Sequence, residues 1–464
     1  MDGTSKPTDP ARRIADGIEA LTRWAADLQG DVVPEAIRVR AATVLADDLA
    51  AIVAAREEPE LRALTKGMEA SSGAPEATVF DGRATRLDRY SAATVNGSAA
   101  DWCELDEGYR RVICHAGLYC VPALLAEAEA SGASGHDLLR ALTIGYEISG
   151  RIARAFGYPT LTLHPHGSLA AVGAAASVAA LRRLSAEDMA RVISTACTLV
   201  VPGPFNHTVE GALVRNVWPG VGAWSGLRAV DWTLCGITGR PESLHDVYAS
   251  AFGGEPHPQE LTDGLGSDWA LADGYHKLHA CCQYAHSAVE ASLALAARAD
   301  AAGIKAIHID THWKGRHLDN ADPATTLAAK FSMQHILAAT ARFGHAGAEA
   351  FHASTLTDPA IADLRHRVSI DAFQPEPAWP NDRPARVTWV MGDGARVTEE
   401  CLSARGGPDR PFEPAEVRAK IRGIVDAPYP AMGPVLEQVL DLDPATLGRS
   451  WGEIVAAMTT PAGP

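Results

Sequence analysis

Residues 101–122 read DWCELDEGYRRVICHAGLYCVP, and the rest of the chain is organised around them. Glu104, Asp106 and Glu107 are followed by Gly108, then Arg110 and Arg111, then His115 and Gly117. Apolar residues here are few and keep neither a helical nor a strand period, so the stretch supports neither element. The segments on both sides read as helices. A polar, charged loop between apolar elements is where binding and catalytic groups gather. A solvated loop with a chance histidine fits the same pattern.

Working outward, residues 92–100 read as a helix that delivers the chain to this loop, and 121–130 as one that leaves it. Ser134 with Asp137 resembles a capping box for a helix ending before Pro159. The segment His164-Pro165-His166-Gly167 precedes an Ala- and Gly-rich helix able to pack very closely. Ser185 with Asp188 caps another, and 218–236 and 242–252 follow. Toward the N-terminus, 14–28 is amphipathic, Pro34 suits the first turn of a helix to about residue 56, and 77–80 reads as a short strand. Helices joined by short loops predict antiparallel pairs in an all-α body.

The pattern changes near residue 300. Residues 304–313 alternate as a half-buried strand does, and 367–373 and 385–391 also read as strands. Asp393-Gly394 predicts a hairpin turn to a strand at 396–399. Helices are expected at 323–343 and 359–364, and again from Pro414. The predicted fold class is mainly α. It has a large helical domain at 14–270, a smaller α/β domain at 271–412, and C-terminal helices at 413–460 that return to the first domain.

A chain of 464 residues is too long for one compact core. Its 47% hydrophobic and 21% charged residues are those of a globular protein, and its net charge of −16 argues against nucleic acid or anionic membrane as partner. No run approaches a membrane span. The opening MDGTSKPTDPARR has no apolar core, so no secretory signal is expected and the first dozen residues should fray. None of the 8 cysteines forms a CxxC pair, which suits reduced thiols in the cytoplasm.

No phosphate loop, Rossmann glycine pattern, nucleophile elbow or HExxH occurs. His115 and His164 sit on polar loops just before helices. Lys277 lies in YHKLHACCQYAHSAVEA with His276, His279, Cys281, Cys282 and His286. Arg215 precedes Trp218-Pro219-Gly220, and His335 lies on a helix of the α/β unit. Helix-start N–H groups and an arginine fork suit a carboxylate, and histidine moves protons near neutral pH. Together they suit proton abstraction beside a carboxylate. Each also has a plainer reading: hydrogen-bonded structural histidines, a buried apolar Cys282, or a metal cluster at 276–286, whose spacing matches no common zinc pattern.

The ordered set NGSAADWCELDEG with His115, HPHGSLAAVGAAA, VRNVWPGVGAWSG, KLHACCQYAHSAVEA and AAKFSMQHILA resembles the MmgE/PrpD family over roughly residues 15–450. That family includes 2-methylcitrate dehydratase, cis-aconitate decarboxylase and iminodisuccinate epimerase. The resemblance implies a helical domain with an α/β lid, a homodimer, and no metal or organic cofactor. It places catalytic groups at Glu104, His115, His164 and Lys277, and substrate contacts at Arg215, Asp106, Glu107, Cys282 and His335. Where the family commonly has lysine, this chain has Arg215; where the decarboxylase has histidine, it has Cys282.

The expected function is therefore a cofactor-independent lyase on a small di- or tricarboxylic acid, working by α-proton abstraction as 2-methylcitrate dehydratase does. Decarboxylation or epimerisation of a related carboxylate is the alternative within the family. A non-catalytic ligand-binding protein and a metal hydrolase are the alternatives outside it.

Overall fold

The computed structural model describes residues 9–28 and 32–460. Its segment around 101–122 is more regular than its composition suggests. The helix Arg89–Trp102 runs through Asp101, and the next helix begins at Ala116 and passes Pro122 to reach Ser131. Between them Gly108–Tyr109 pairs antiparallel with Gly274–Tyr275. The acids are buried, Glu104 at 2% exposure and Asp106 and Glu107 at 0%. A solvated loop is thereby excluded. Partners far along the chain cover these charges, and local periodicity cannot register them.

The Pro165–Leu181 helix is buried along its whole length. It packs on Ala116–Ser131, Gly135–Arg154 and Trp218–Leu234. A Cβ at Gly222 would collide with Ala170, and one at Gly226 with Ala174, so the helix backbones meet where side chains are smallest. Ser134 and Ser185 cap their helices by accepting the N–H of Asp137 and Asp188. At the N-terminus, Asp9 accepts the N–H of Ala11 and starts the helix Pro10–Asp27. The fraying expected over residues 10–12 is thus replaced by a capped helix; residues 1–8 lie outside the described residues.

The α/β unit carries a four-stranded sheet in the order Arg396–Cys401, Ala385–Met391, Ile304–Thr311, Val368–Ala372. The last pair is parallel and the other two are antiparallel. Gly394, at φ 87°, takes the left-handed position of the predicted hairpin turn. The single helix expected at 323–343 is two, Thr326–Lys330 and Met333–Phe343. Ser332 breaks it by accepting the N–H of His335 and capping the second piece. The helices Pro414–Val425 and Met432–Leu440 pack on Glu35–Ala54, and Trp451–Thr459 packs on Ala116–Ser131. Among the described residues, no helix is long and apolar enough to cross a membrane.

Candidate active site

One small cavity is lined by Glu104, His115, His164, Arg215, Lys277 and Cys282. Six residues singled out from the sequence thus meet across more than 170 positions of chain. Tyr275, Tyr284, Phe331 and Arg383 complete much of the wall. The free space is about 30 Å³, room for a water or two. A six-carbon acid therefore enters only if the walls part.

Local structure aims each group. The Arg89–Trp102 helix ends one residue before Cys103, and Glu104 turns at φ 52°, an uncommon angle for a residue with a side chain. Its carboxylate lies 2.7 Å from Arg215 Nη1 and 3.2 Å from Lys277 Nζ. Gly117 lets the following helix approach the acids, since a Cβ there would stand 2.6 Å from both Asp48 Oδ2 and Glu107 Oε2.

The floor of the cavity is a closed network of charge. Asp101 pairs with Arg215, and Lys277 lies 3.0 Å from Asp106 Oδ1. Three acids thus face two cations, all of them buried. Burial alone would raise the Asp106 carboxyl, but Lys277 and His115 outweigh it and hold it ionised, well below the usual range. Burial would likewise neutralise Lys277, but Asp106 and Glu104 keep its ammonium charged, well above its ordinary pKa. Lys277 is therefore a fixed cation rather than a base.

The three histidines have distinct environments. His115 donates from Nδ1 to Asp106 Oδ2 at 2.6 Å, with the Glu107 carbonyl oxygen at 3.0 Å. That fixes the tautomer and leaves Nε2 with its lone pair at the cavity. His166 is wholly enclosed: Nε2 donates to Asp101 at 3.0 Å, and Nδ1 accepts from the Tyr119 hydroxyl at 3.1 Å. His164 is held neutral by burial, with His166 and Arg215 adding to the effect. Its Nδ1 faces the His166 N–H and its Nε2 faces Arg215 Nη2, each at 3.3 Å. A neutral imidazole carries one N–H, so one of those contacts is not a hydrogen bond.

With this geometry in view, comparison with known proteins gives its affiliation. Residues 19–255 match the MmgE/PrpD N-terminal domain, and residues 279–441 match the MmgE/PrpD C-terminal domain. This chain belongs to the MmgE/PrpD family. A relative in Aspergillus oryzae, named cis-aconitate decarboxylase-like protein oryM, is 25% identical over 450 residues, covering 88% of this chain and 90% of the relative.

Three positions implied by the MmgE/PrpD resemblance do not line the cavity. Asp106 and Glu107, expected to touch substrate, stand behind His115. Glu107 accepts from Tyr146 and from the Gly117 N–H, and burial pushes its carboxyl up to about 7. His335 is held instead by the Ala350 carbonyl oxygen and Arg365. The break at Ser332 explains the change: Phe331 reaches the cavity, and His335 lies in the first turn of the new helix Met333–Phe343 and does not. Cys282 does line the wall, but burial pushes its thiol up to about 12, so it is no thiolate.

The MmgE/PrpD motifs gave no role to Asp101, Tyr275 and Arg383, and left His166, noted beside His164, without one. Asp101 was detectable as an acid one helical turn before Glu104. Arg383 carried no signal, because it follows a Pro-rich strap with no recognisable motif. The three histidines of 276–286 do not form one site: His276 pairs with Asp47 at 2.7 Å, while His279 and His286 meet edge-on at 5.2 Å between ring centres and His286 donates to the Cys281 carbonyl oxygen at 3.1 Å. Among the described residues, the group with metal-ligand spacing is Asp101, Glu104 and Asp106, within 4.8 Å of one another. Arg215 and Lys277 already occupy that charge, so a divalent ion would have to displace them.

Proposed function

We propose that this MmgE/PrpD protein is a cofactor-independent lyase that removes the α-proton of a small di- or tricarboxylic acid, in the manner of 2-methylcitrate dehydratase. The observation that carries this reading is the Asp106–His115 pair opening onto the same cavity as the permanently charged Lys277. His115 Nε2 takes the proton, and Asp106 steadies the imidazolium that forms. Lys277 and Arg215 are fixed before the reaction begins, so they stabilise the developing enolate without reorganising. His115, now an imidazolium, returns that proton to the departing hydroxyl, while neutral His164 stays fixed beside Arg215. The hydroxyl leaves as water, and the electron pair of the broken C–H bond becomes the new double bond.

Decarboxylation is the second reading, favoured by the name of the Aspergillus relative. It uses the same enolate, formed by loss of carbon dioxide and quenched by the Nε2 proton of His115 in its imidazolium form. Epimerisation needs a second base on the opposite face, and His164, with a donor at each nitrogen, is poorly placed for that duty.

The test is proton NMR of a panel of unlabelled di- and tricarboxylic acids with the protein in deuterated water. At least one acid should lose its α-hydrogen signal, with new alkene protons for a dehydratase or the signals of an acid one carboxylate shorter for a decarboxylase. No exchange and no turnover across the panel sinks the lyase reading and leaves a ligand-binding protein.

A further inference from the structure

The cations first assigned to substrate are already committed. Arg215 answers Asp101 and Glu104, and Lys277 answers Glu104 and Asp106. A remote carboxylate arriving among them would meet three acids against two cations. A di- or tricarboxylate needs another positive partner in the cavity, and the chain's net charge of −16 supplies none at long range.

Arg383 lines the same cavity from the α/β side and is 4% exposed. It donates to the Gln283 side-chain oxygen and, from Nη2, to the Arg110 carbonyl oxygen at 3.2 Å, both neutral acceptors. Its Nε has no hydrogen-bond partner. The carboxylate of Asp382 stands 3.9 Å from that Nε and is bonded to Arg110 Nη2 at 2.7 Å. Lys314 is nearby as well, and burial followed by repulsion from Arg383 brings its amine down to about 8. Arg110, Lys314 and Arg383 therefore share one acid, and a buried guanidinium with free donors calls for an anion.

The position of Arg383 is enforced. Arg110 stacks over Trp379 at 4.7 Å and donates to the Pro380 carbonyl oxygen at 3.0 Å, pinning the strap whose next charged residues are Asp382 and Arg383. Arg110 belongs to the same acidic stretch as Glu104, so one segment supplies both the reacting floor and the tether for the strap. A second cavity of about 260 Å³, which Lys314 lines, shares Val112 and Ile113 with the site.

We propose that Arg383 is the carboxylate anchor of this site and grips the carboxylate remote from the reacting carbon, which makes the substrate at least a dicarboxylate. Only the choice of reacting carbon rests on the lyase reading above. The test is calorimetric binding of succinate and of its monoamide, succinamate, to the full chain and to Arg383→Gln. The wild type should prefer succinate roughly ten- to hundredfold, the factor a charge-assisted contact supplies, and Arg383→Gln should abolish that preference. Arg383→Lys, which keeps charge but loses the fork, should retain part of it and serves in its place if Arg383→Gln is unfolded by circular dichroism. An unchanged preference in both variants overturns the proposal, as does a wild type that binds neither probe. Deuterium exchange separates the two readings: a wild type that binds succinate through Arg383 but exchanges no acid keeps the anchor and loses the lyase.

Discussion

Replacing Asp106 by Asn isolates what the Asp106–His115 pair does. The amide is nearly the same shape, but one end becomes a donor. Lys277 Nζ, 3.0 Å from Oδ1, can only donate, so the amide oxygen turns toward it. The NH₂ then faces His115 Nδ1, where the carboxylate accepted at 2.6 Å. His115 must move its proton to Nε2, the nitrogen that should abstract one, unless the Glu107 carbonyl oxygen at 3.0 Å keeps the original tautomer. General-base catalysis contributes roughly 10²–10⁴-fold, so kcat should fall by that factor, about 3–5 kcal/mol of barrier. KM should move by less than about tenfold, because Arg215 and Arg383 are untouched and Lys277 keeps Glu104 and the amide oxygen as partners. The assay is steady-state turnover of whichever acid the exchange screen identifies, alongside α-deuterium exchange. A kcat within about threefold of wild type, with the fold intact, would refute the assignment of His115 as an Asp106-oriented base.

Arg215→Ala leaves Asp101 and Glu104 without their buried counter-charge and should cost roughly 3–5 kcal/mol of stability in urea unfolding; a loss under about 1 kcal/mol contradicts the network described. Arg215→Lys should keep more of the fold but lower kcat/KM roughly ten- to hundredfold, since an ammonium does not reproduce the fork; higher activity than wild type rules that out. For pH, Asp106 has a depressed folded pKa, so its stabilisation is complete above the unfolded value of about 3.9 and is lost as pH falls toward the folded one. Urea midpoints at about pH 6 and about pH 3, on either side of the unfolded value, should therefore lie closer together in Asp106→Asn than in wild type. Activity should survive exhaustive chelation; loss with EDTA and recovery with added divalent metal would reassign Asp101, Glu104 and Asp106 as ligands.

Helices, caps and turns were legible because their causes are local. Ser134 and Ser185 cap as their spacing to Asp137 and Asp188 foretells, and Asp393-Gly394 turns a hairpin. Motif order also brought Glu104, His115, His164, Arg215, Lys277 and Cys282 to one family and, in space, to one cavity. Whether a charge faces substrate or another side chain is decided by partners 114 to 173 residues away, as for Arg215 with Asp101 and Lys277 with Glu104. No local pattern encodes that balance. Arg215 looked free in sequence and is committed in the fold, Asp106 and Glu107 look outward in the motif and stand behind His115, and a single serine at 332 turns His335 away. Arg383 reaches the cavity from a strap that Arg110 contacts through Asp382 and its own carbonyl oxygen. Local backbone preferences were written in the order of residues; the neutralisation of buried charge, which sums over the whole interior, was decided by the tertiary structure.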